Sequence, residues 1–287
     1  MSRVAYVNGR YGPKSQAAVH VEDRGYQFAD AVYEVWGVSG GHLMDYDGHM
    51  ARLERSLDEL RIRRPMTREA LTQVLRETVR RNRVVDGLVY LQISRGTAPR
   101  DHAFPSADTP PSVVVTAKSI SRARQEAAAS KGISVVTRPD IRWGRCDIKT
   151  VGLLPNILAK QDALDSGAGD AWLVDDMGLI TEGTSANAWI VDRDGVLRTR
   201  DTQANILRGI TRAAILSIAN EQGLKLEERG FSVDDVKSAR EAFYTNASGF
   251  ATPVVAIDGA RIGDGTPGPV ALRLRQMYLE RAEAQAV

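Results

Sequence analysis

Cysteine is all but missing from this chain: Cys146 stands alone among 287 residues. A single thiol closes no intrachain disulfide, so nothing in the cysteine usage points to an oxidising compartment. No apolar run approaches the length needed to span a bilayer, and the amino terminus shows no apolar core of a secretory signal. A cytoplasmic protein is the resulting expectation. Charge of one sign is lacking too. The 38 basic residues are nearly cancelled by 36 acidic ones, and a net charge of +2 argues for neither a nucleic-acid footprint nor an acidic partner. Histidine is scarce: His20, His42, His49 and His102 have no ligand spacing with one another or with Cys146, so no metal centre is expected.

What is present reads as a soluble globular protein of one large domain or two. Val4–Val7 followed by Asn8-Gly9 predicts a strand entering a hairpin. Val32–Val38 and Leu88–Ile93 are further strands, rich in β-branched and aromatic residues. Between them, Met50, Leu53, Leu57 and Leu60 mark the buried face of one helix; Leu71, Val74, Leu75 and Val79 mark a second, capped by Thr67. A strand over Ser112–Ala117 precedes a polar stretch, 121–131, that lacks an apolar face. It predicts a linker between a smaller N-terminal α/β domain over 1–120 and a larger C-terminal α+β domain over 132–287; an exposed helix of the second domain is the alternative. Beyond it come strands at Ile133–Thr137, Ala171–Val174, Leu179–Thr181, Ala242–Thr245 and Val254–Ile257. A hairpin over Ala188–Thr199 turns at Asp194-Gly195, and helices are expected over Asn156–Leu164, Thr211–Glu221 and Val270–Ala284. Hairpins outnumber βαβ patterns, which predicts an α+β fold: two domains of mixed, largely antiparallel sheets with flanking helices.

Five stretches invite a chemical reading. Ile141–Thr150 ends on Lys149, set among Arg142, Trp143, Arg145 and Ile148. Apolar or cationic neighbours disfavour an ammonium and free a nucleophilic amine, although a lone lysine on a loop is more often a surface residue. Ile180–Asn187 puts Glu182 at a strand end ahead of Gly183 and small residues that let a ligand approach; an ordinary turn with a solvated glutamate reads equally well. Gly209 precedes a helix starting near Thr211, whose free N–H groups suit a phosphate, or need only a cap. Arg100 and His102 are two apart in an extended loop and so point the same way, as a clamp for a carboxylate or as part of a rigid connector. Asp23–Glu34 is unusually dense in polar and aromatic residues, and Tyr33 could present a hydroxyl. A thiol hydrolase built on Cys146 and His102 has nothing to orient the pair, and a small buried cysteine is the ordinary reading.

The order of these blocks resembles the fold-type IV aminotransferases that use pyridoxal 5′-phosphate, and within them the bacterial D-amino acid aminotransferases. The likeness covers nearly the whole chain, from Asp23-Arg-Gly-Tyr-Gln-Phe28 through Arg145-Cys-Asp-Ile-Lys149 and Thr181-Glu-Gly183 to Gly209-Ile-Thr-Arg212 and Thr252-Pro-Val254.

The resemblance implies a cofactor between two domains, bound by Lys149 as a Schiff base, with Lys149 later carrying the substrate proton. It makes Glu182 the carboxylate beside the pyridine nitrogen. Arg52, Ile210 and Thr211 become phosphate ligands, and Leu207 the residue against the ring face. Ala247 departs from the pattern, since the D-amino acid enzymes carry threonine or serine there; Ser248 is the substitute donor. Tyr33, Arg100 and His102 match the trap for the substrate α-carboxylate, the last two reaching in from the neighbouring subunit of a homodimer. The implied reaction is transamination between D-amino acids, such as D-alanine and D-glutamate, and 2-oxo acids. The runner-up is a broad-specificity, (R)-amine or branched-chain transaminase of the same fold, and a silent cofactor-binding relative stands behind both.

Overall fold

Asn8 and Gly9 both sit at positive φ, 45° and 92°, which is what a two-residue hairpin turn requires. They join β1 (Val4–Val7) to β2 (Arg10–Pro13). In this computed structural model, which describes residues 3–203 and 205–287, the chain forms two compact units. The first comprises Met1–Ser121, Ile148–Gly152 and Gln285–Val287; the second comprises Arg122–Asp147 and Leu153–Ala284.

The first unit continues through α1 (Arg24–Phe28), β3 (Ala31–Ser39), β4 (His42–Leu43), α2 (Tyr46–Glu59), α3 (Arg68–Arg81), β5 (Gly87–Ser94) and β6 (Ser112–Ser119). Its strands form one antiparallel sheet in the order β2-β1-β6-β5-β3-β4. The faces expected of α2 and α3 are buried: Met50, Leu53 and Leu57 from one, Leu71, Leu75 and Val79 from the other, in one core with Trp36, Leu91 and Val115. Strand alternation sends Val32, Glu34 and Trp36 of β3 to complete burial, leaving Tyr33 and Val35 partly exposed. Segment 148–152 is tied in by backbone. Tyr33 N donates to Lys149 O (3.0 Å), Val151 N to Ala31 O (3.2 Å), and Ile148 joins the core.

The second unit holds α4 (Arg122–Lys131), β7 (Ile133–Pro139), α5 (Leu154–Asp165), β8 (Asp170–Val174), β9 (Ile180–Gly183), β10 (Asn187–Val191), β11 (Leu197–Thr199), α6 (Ile210–Glu221), β12 (Leu226–Glu228), α7 (Val233–Ser238), β13 (Glu241–Asn246), β14 (Phe250–Ile257), β15 (Ala260–Arg261) and α8 (Pro269–Ala284). The sheet runs β12-β11-β10-β13-β14-β7-β8-β9, with β15 on β14. It is mixed: β11/β12, β14/β7 and β7/β8 are parallel, the other pairs antiparallel. Trp172, Ile180, Ile190, Phe231 and Val254 fill its main core.

The stretch 121–131, expected to link two domains, contains helix α4, in the second unit. Only Ala129 of it is buried, which explains the weak apolar signal. It is held by polar contacts instead: Arg275 donates to Glu126 (2.9 Å), Gln125 to the Ser248 carbonyl (2.5 Å), and Arg122 pairs with Glu283. Helices α1 and α7 go beyond the elements expected from the sequence. Each is only a turn or so long, too short for hydrophobic periodicity, though Ser232 and Asp235 form a full capping box on α7. No helix among the described residues is long and apolar enough to cross a membrane.

Candidate active site

In the first unit, the β3 pleat brings Tyr33 to the side chain of Lys149. The lysine Nζ lies 4.2 Å from the centroid of the Tyr33 ring, at cation–π distance, and its backbone is pinned on both sides. Lys149 is thus a half-buried, oriented side chain rather than a free surface lysine. Arg142 and Arg145, expected as its neighbours, spend their charge elsewhere: Arg142 forks onto Asp140 (2.8 and 2.6 Å) and Arg145 onto Asp147 (2.9 and 3.0 Å). Tyr90, across the sheet, stacks on Tyr33 at 5.7 Å and donates its hydroxyl to Gln92 Oε1 (2.8 Å). Burial and the neighbouring Tyr33 push the Tyr90 hydroxyl up to about 12, so it remains protonated and a donor.

Arg52 comes from α2 and is buried against Glu34, donating Nε to Oε2 (2.9 Å) and Nη2 to Oε1 (2.7 Å). His49 adds Nδ1 at 3.0 Å to Oε1, and since a carboxylate only accepts, Nδ1 carries the hydrogen. Burial alone would raise the Glu34 carboxyl; the Arg52 guanidinium and His49 imidazole hold it well below the usual range. Arg52 is therefore a fixed cation with a set plane. Arg100 and His102 both rest on the ring of Phe28, the Arg100 guanidinium at 4.9 Å and the His102 ring at 5.6 Å, and both are exposed. The structure brings these two together on one ring, in a bent rather than an extended loop.

The second unit assembles an acidic site at the end of β9. Glu182, 6% exposed, pairs with Arg142 and accepts from Leu207 N (3.2 Å) and Asn187 Nδ2 (3.1 Å). Burial pushes its carboxyl up, and Arg142 and the Leu207 N–H work against that shift. An ionised carboxylate offers about four lone-pair sites. Three are taken, which leaves room for one more N–H donor from a ligand. Asn187 also donates to Leu207 O (2.9 Å) and packs its Oδ1 on Gly209, where a Cβ would come within 2.0 Å of it. Gly209 is the N-cap of α6 and supplies no side-chain cap, so the N–H groups of the first turn, at Ile210 and Thr211, meet no side-chain acceptor among the described residues. A dipole end of this kind, with a close-approach glycine, fits a phosphate group. Ser248 is placed differently from a free donor: its N and Oγ lie 3.1 and 3.2 Å from Asn246 Oδ1, inside its own turn.

The family model for amino-transferase class IV matches residues 31–257. The chain belongs to the class IV aminotransferases. Among its relatives, a D-alanine aminotransferase of Bacillus licheniformis is 41% identical over 263 residues, covering 92% of this chain and 91% of that protein. One from Staphylococcus haemolyticus is 37% identical, covering 98% of each. Among solved structures, a branched-chain amino acid aminotransferase of Escherichia coli superposes with a TM-score of 0.89 at 26% identity, over 98% of this chain and 95% of that one. Another, from Thermoproteus uzoniensis with norvaline, gives 0.84 at 25%, over 99% and 96%.

In this aminotransferase several polar residues at the sites carry no signal in the sequence. Asn187 and Glu34 are buried where a charge or carbonyl from a distant element meets them, and the sequence presents Arg142 as a neighbour of Lys149 rather than as the partner of Glu182. The thiol-hydrolase reading fails: the Cys146 sulfur donates to Trp143 O (3.2 Å), and burial pushes its thiol up to about 11, far from a thiolate at neutral pH.

Proposed function

We propose that this aminotransferase is a cytoplasmic, homodimeric D-amino acid transaminase, exchanging the amino group between D-amino acids such as D-alanine and D-glutamate and 2-oxo acids with pyridoxal 5′-phosphate. One observation carries the reading: the chain is 41% identical to a D-alanine aminotransferase over 92% of its length, and it sets Arg100 and His102 side by side on the ring of Phe28. The branched-chain alternative draws on structural neighbours of lower identity, 25–29%, and fits less well.

The cofactor, when bound, supplies an aldehyde for the amino group and an electron-poor ring that delocalises the charge left at the substrate Cα. Lys149 would supply the amine that anchors it and, once freed, would take the substrate Cα proton onto Nζ and deliver it to the former aldehyde carbon. The Tyr33 ring and the two backbone hydrogen bonds to segment 148–152 fix where that amine can reach. Glu182 would accept an N–H hydrogen bond from the ring nitrogen at its remaining lone pair, with Arg142, Asn187 and Leu207 N holding the carboxylate in place. The N–H groups of Ile210 and Thr211 would take the phosphate, with Arg52 and Ser248 joining only by giving up part of their bonds to Glu34 and Asn246, and Leu207 would lie against the ring. Tyr33, Arg100 and His102 grip the α-carboxylate, with the last two supplied by the partner subunit. Four large apolar residues on the outside of α5, Leu154, Ile157, Leu158 and Leu164, each at least half exposed, support burial of that face in a dimer.

Two measurements test the reading. Protein loaded with pyridoxal 5′-phosphate should show a visible band that borohydride bleaches, leaving the cofactor on the peptide that contains Lys149. Chiral analysis of reactions with 2-oxoglutarate should show D-alanine consumed and L-alanine spared; preference for L-alanine or L-leucine would overturn it.

A further inference from the structure

Two cations on an exposed loop grip a carboxylate well only if the loop is already ordered, because ordering it on binding costs affinity. In the first unit the loop after β5 is held from beneath. Arg24, 4% exposed, donates Nη1 to the carbonyls of Asp101 (2.7 Å) and Ala103 (3.2 Å), the two peptide oxygens that flank His102. Its Nε goes to Asp30 Oδ2 (2.8 Å). The same carboxylate accepts from Arg95 Nε (2.7 Å) and Nη2 (2.9 Å), and Arg95 reaches on to the carbonyls of Leu60 (2.8 Å) and Arg61 (2.9 Å). Burial alone would raise the Asp30 carboxyl, but Arg95 and Arg24 hold it below the usual range. Phe28 completes the seat, with Arg24 at 4.8 Å on the ring that also carries Arg100 and His102. The root of the loop is fixed as well. Arg24 N donates to Gly96 O (2.9 Å), and Gly96, at φ +105°, leaves no room for a Cβ against Pro110 O.

We infer that Arg24, oriented by Asp30, is a positioning residue for the carboxylate clamp, setting the backbone from which Arg100 and His102 present their charges. The inference rests on the reading that these two residues bind the α-carboxylate. Arg24 itself touches no substrate. A residue that served only the stability of the unit would have no preferential effect on carboxylate binding, and that difference is measurable.

Arg24→Lys and Asp30→Asn are made in the full-length enzyme loaded with cofactor. Each should raise KM for D-alanine about tenfold and leave kcat within about twofold, the pattern of lost uniform binding. Inhibition by propionate, which offers a carboxylate and no amine, should weaken by the same factor. Hydrogen exchange should quicken in peptides covering 97–105 and stay unchanged in those from β3 and α2. In an Arg100→Ala/His102→Ala background, adding Arg24→Lys should change KM by less than about twofold, because both act through one group. Effects that multiply, a wild-type KM in both single variants, or a fall in kcat that tracks lost melting temperature and cofactor content would each overturn the positioning role. An unchanged KM in Arg100→Ala/His102→Ala alone would sink the clamp reading and this inference with it, and that parent variant tells the two failures apart.

Discussion

Glu34 is a glutamate at a position where strand alternation calls for an apolar residue, and it is fully buried. A lone carboxylate there would be untenable; with Arg52, His49 and the Val35 N–H (2.9 Å) on it, the charge is met. The arrangement is costly to break from one side. Glu34→Gln leaves Arg52 buried without its counter-charge, and we expect a loss of about 3–5 kcal/mol in urea unfolding at neutral pH. The sign of the pH dependence follows from the depressed carboxyl. The folded state holds its proton less readily than the unfolded chain, so this stabilisation is fully present above the ordinary glutamate value of 4.5 and is lost progressively as pH falls from there toward the lower value of the folded carboxyl. The Gln variant should therefore show a flatter stability profile on the acid side than the wild type. An equal acid slope in both would mean that Glu34 is not ionised in the fold. The same logic explains why Glu34 escapes a reading of the sequence: it looks like a surface charge until β3 and α2 are packed together.

Among the elements, helix α6 is the clearest case of a terminus left open for use. Its N-cap is a glycine, where serine, threonine or aspartate would have closed the first turn. The reason lies across the sheet, in the Asn187 amide that fills the space a side chain would need. Gly209→Ala would push Asn187 off both Leu207 O and Glu182. We expect cofactor affinity to drop at least about tenfold, the change in a binding constant produced by roughly one lost charge-assisted hydrogen bond. Titration of the apo protein with pyridoxal 5′-phosphate, followed by absorbance, measures it; retained affinity would show that the turn adjusts freely. The start of α6 near Thr211 and the glycine before it are legible in the sequence, as are the two amphipathic helices α2 and α3. Helix α4 is legible only as the alternative to a linker, since its anchors, Glu126 and Arg122, are polar and their partners lie some 150 residues away, at Arg275 and Glu283. The parallel pairings of β7 with β14 and β8 are invisible, because strand propensity carries no information about the neighbour's direction.

For the whole molecule, the reading of a shared site in a homodimer makes a prediction that no single-chain argument does. If Lys149 acts in one protomer and Arg100 with His102 arrives from the other, two crippled variants should complement. Lys149→Ala lacks the amine and Arg100→Ala/His102→Ala lacks the clamp, but a mixed dimer contains one site with neither defect. After subunit exchange in an equal mixture, activity at low D-alanine should rise to about a quarter of wild type, since half the dimers are mixed and each has one good site in two. No recovery, with exchange confirmed by mass spectrometry of the mixed dimers, would place amine and clamp in the same chain.

The resemblance singles out Lys149 and Glu182, which their own neighbourhoods leave undecided; local sequence carries the order of the main helices and strands, the antiparallel character of the first sheet, and the spacing of Arg100 from His102. Each of these local features rests on neighbours in the chain: periodicity, a cap, a turn dipeptide, or a spacing of two. Folding decides which charges are buried and what they hold. Arg142 on Glu182, Asp30 between Arg24 and Arg95, Asn187 against Gly209, and the Tyr33 ring beneath Lys149 are meetings between elements set apart in the chain. A charged side chain carries the same letter whether water or a guanidinium surrounds it, and only the fold chooses between them.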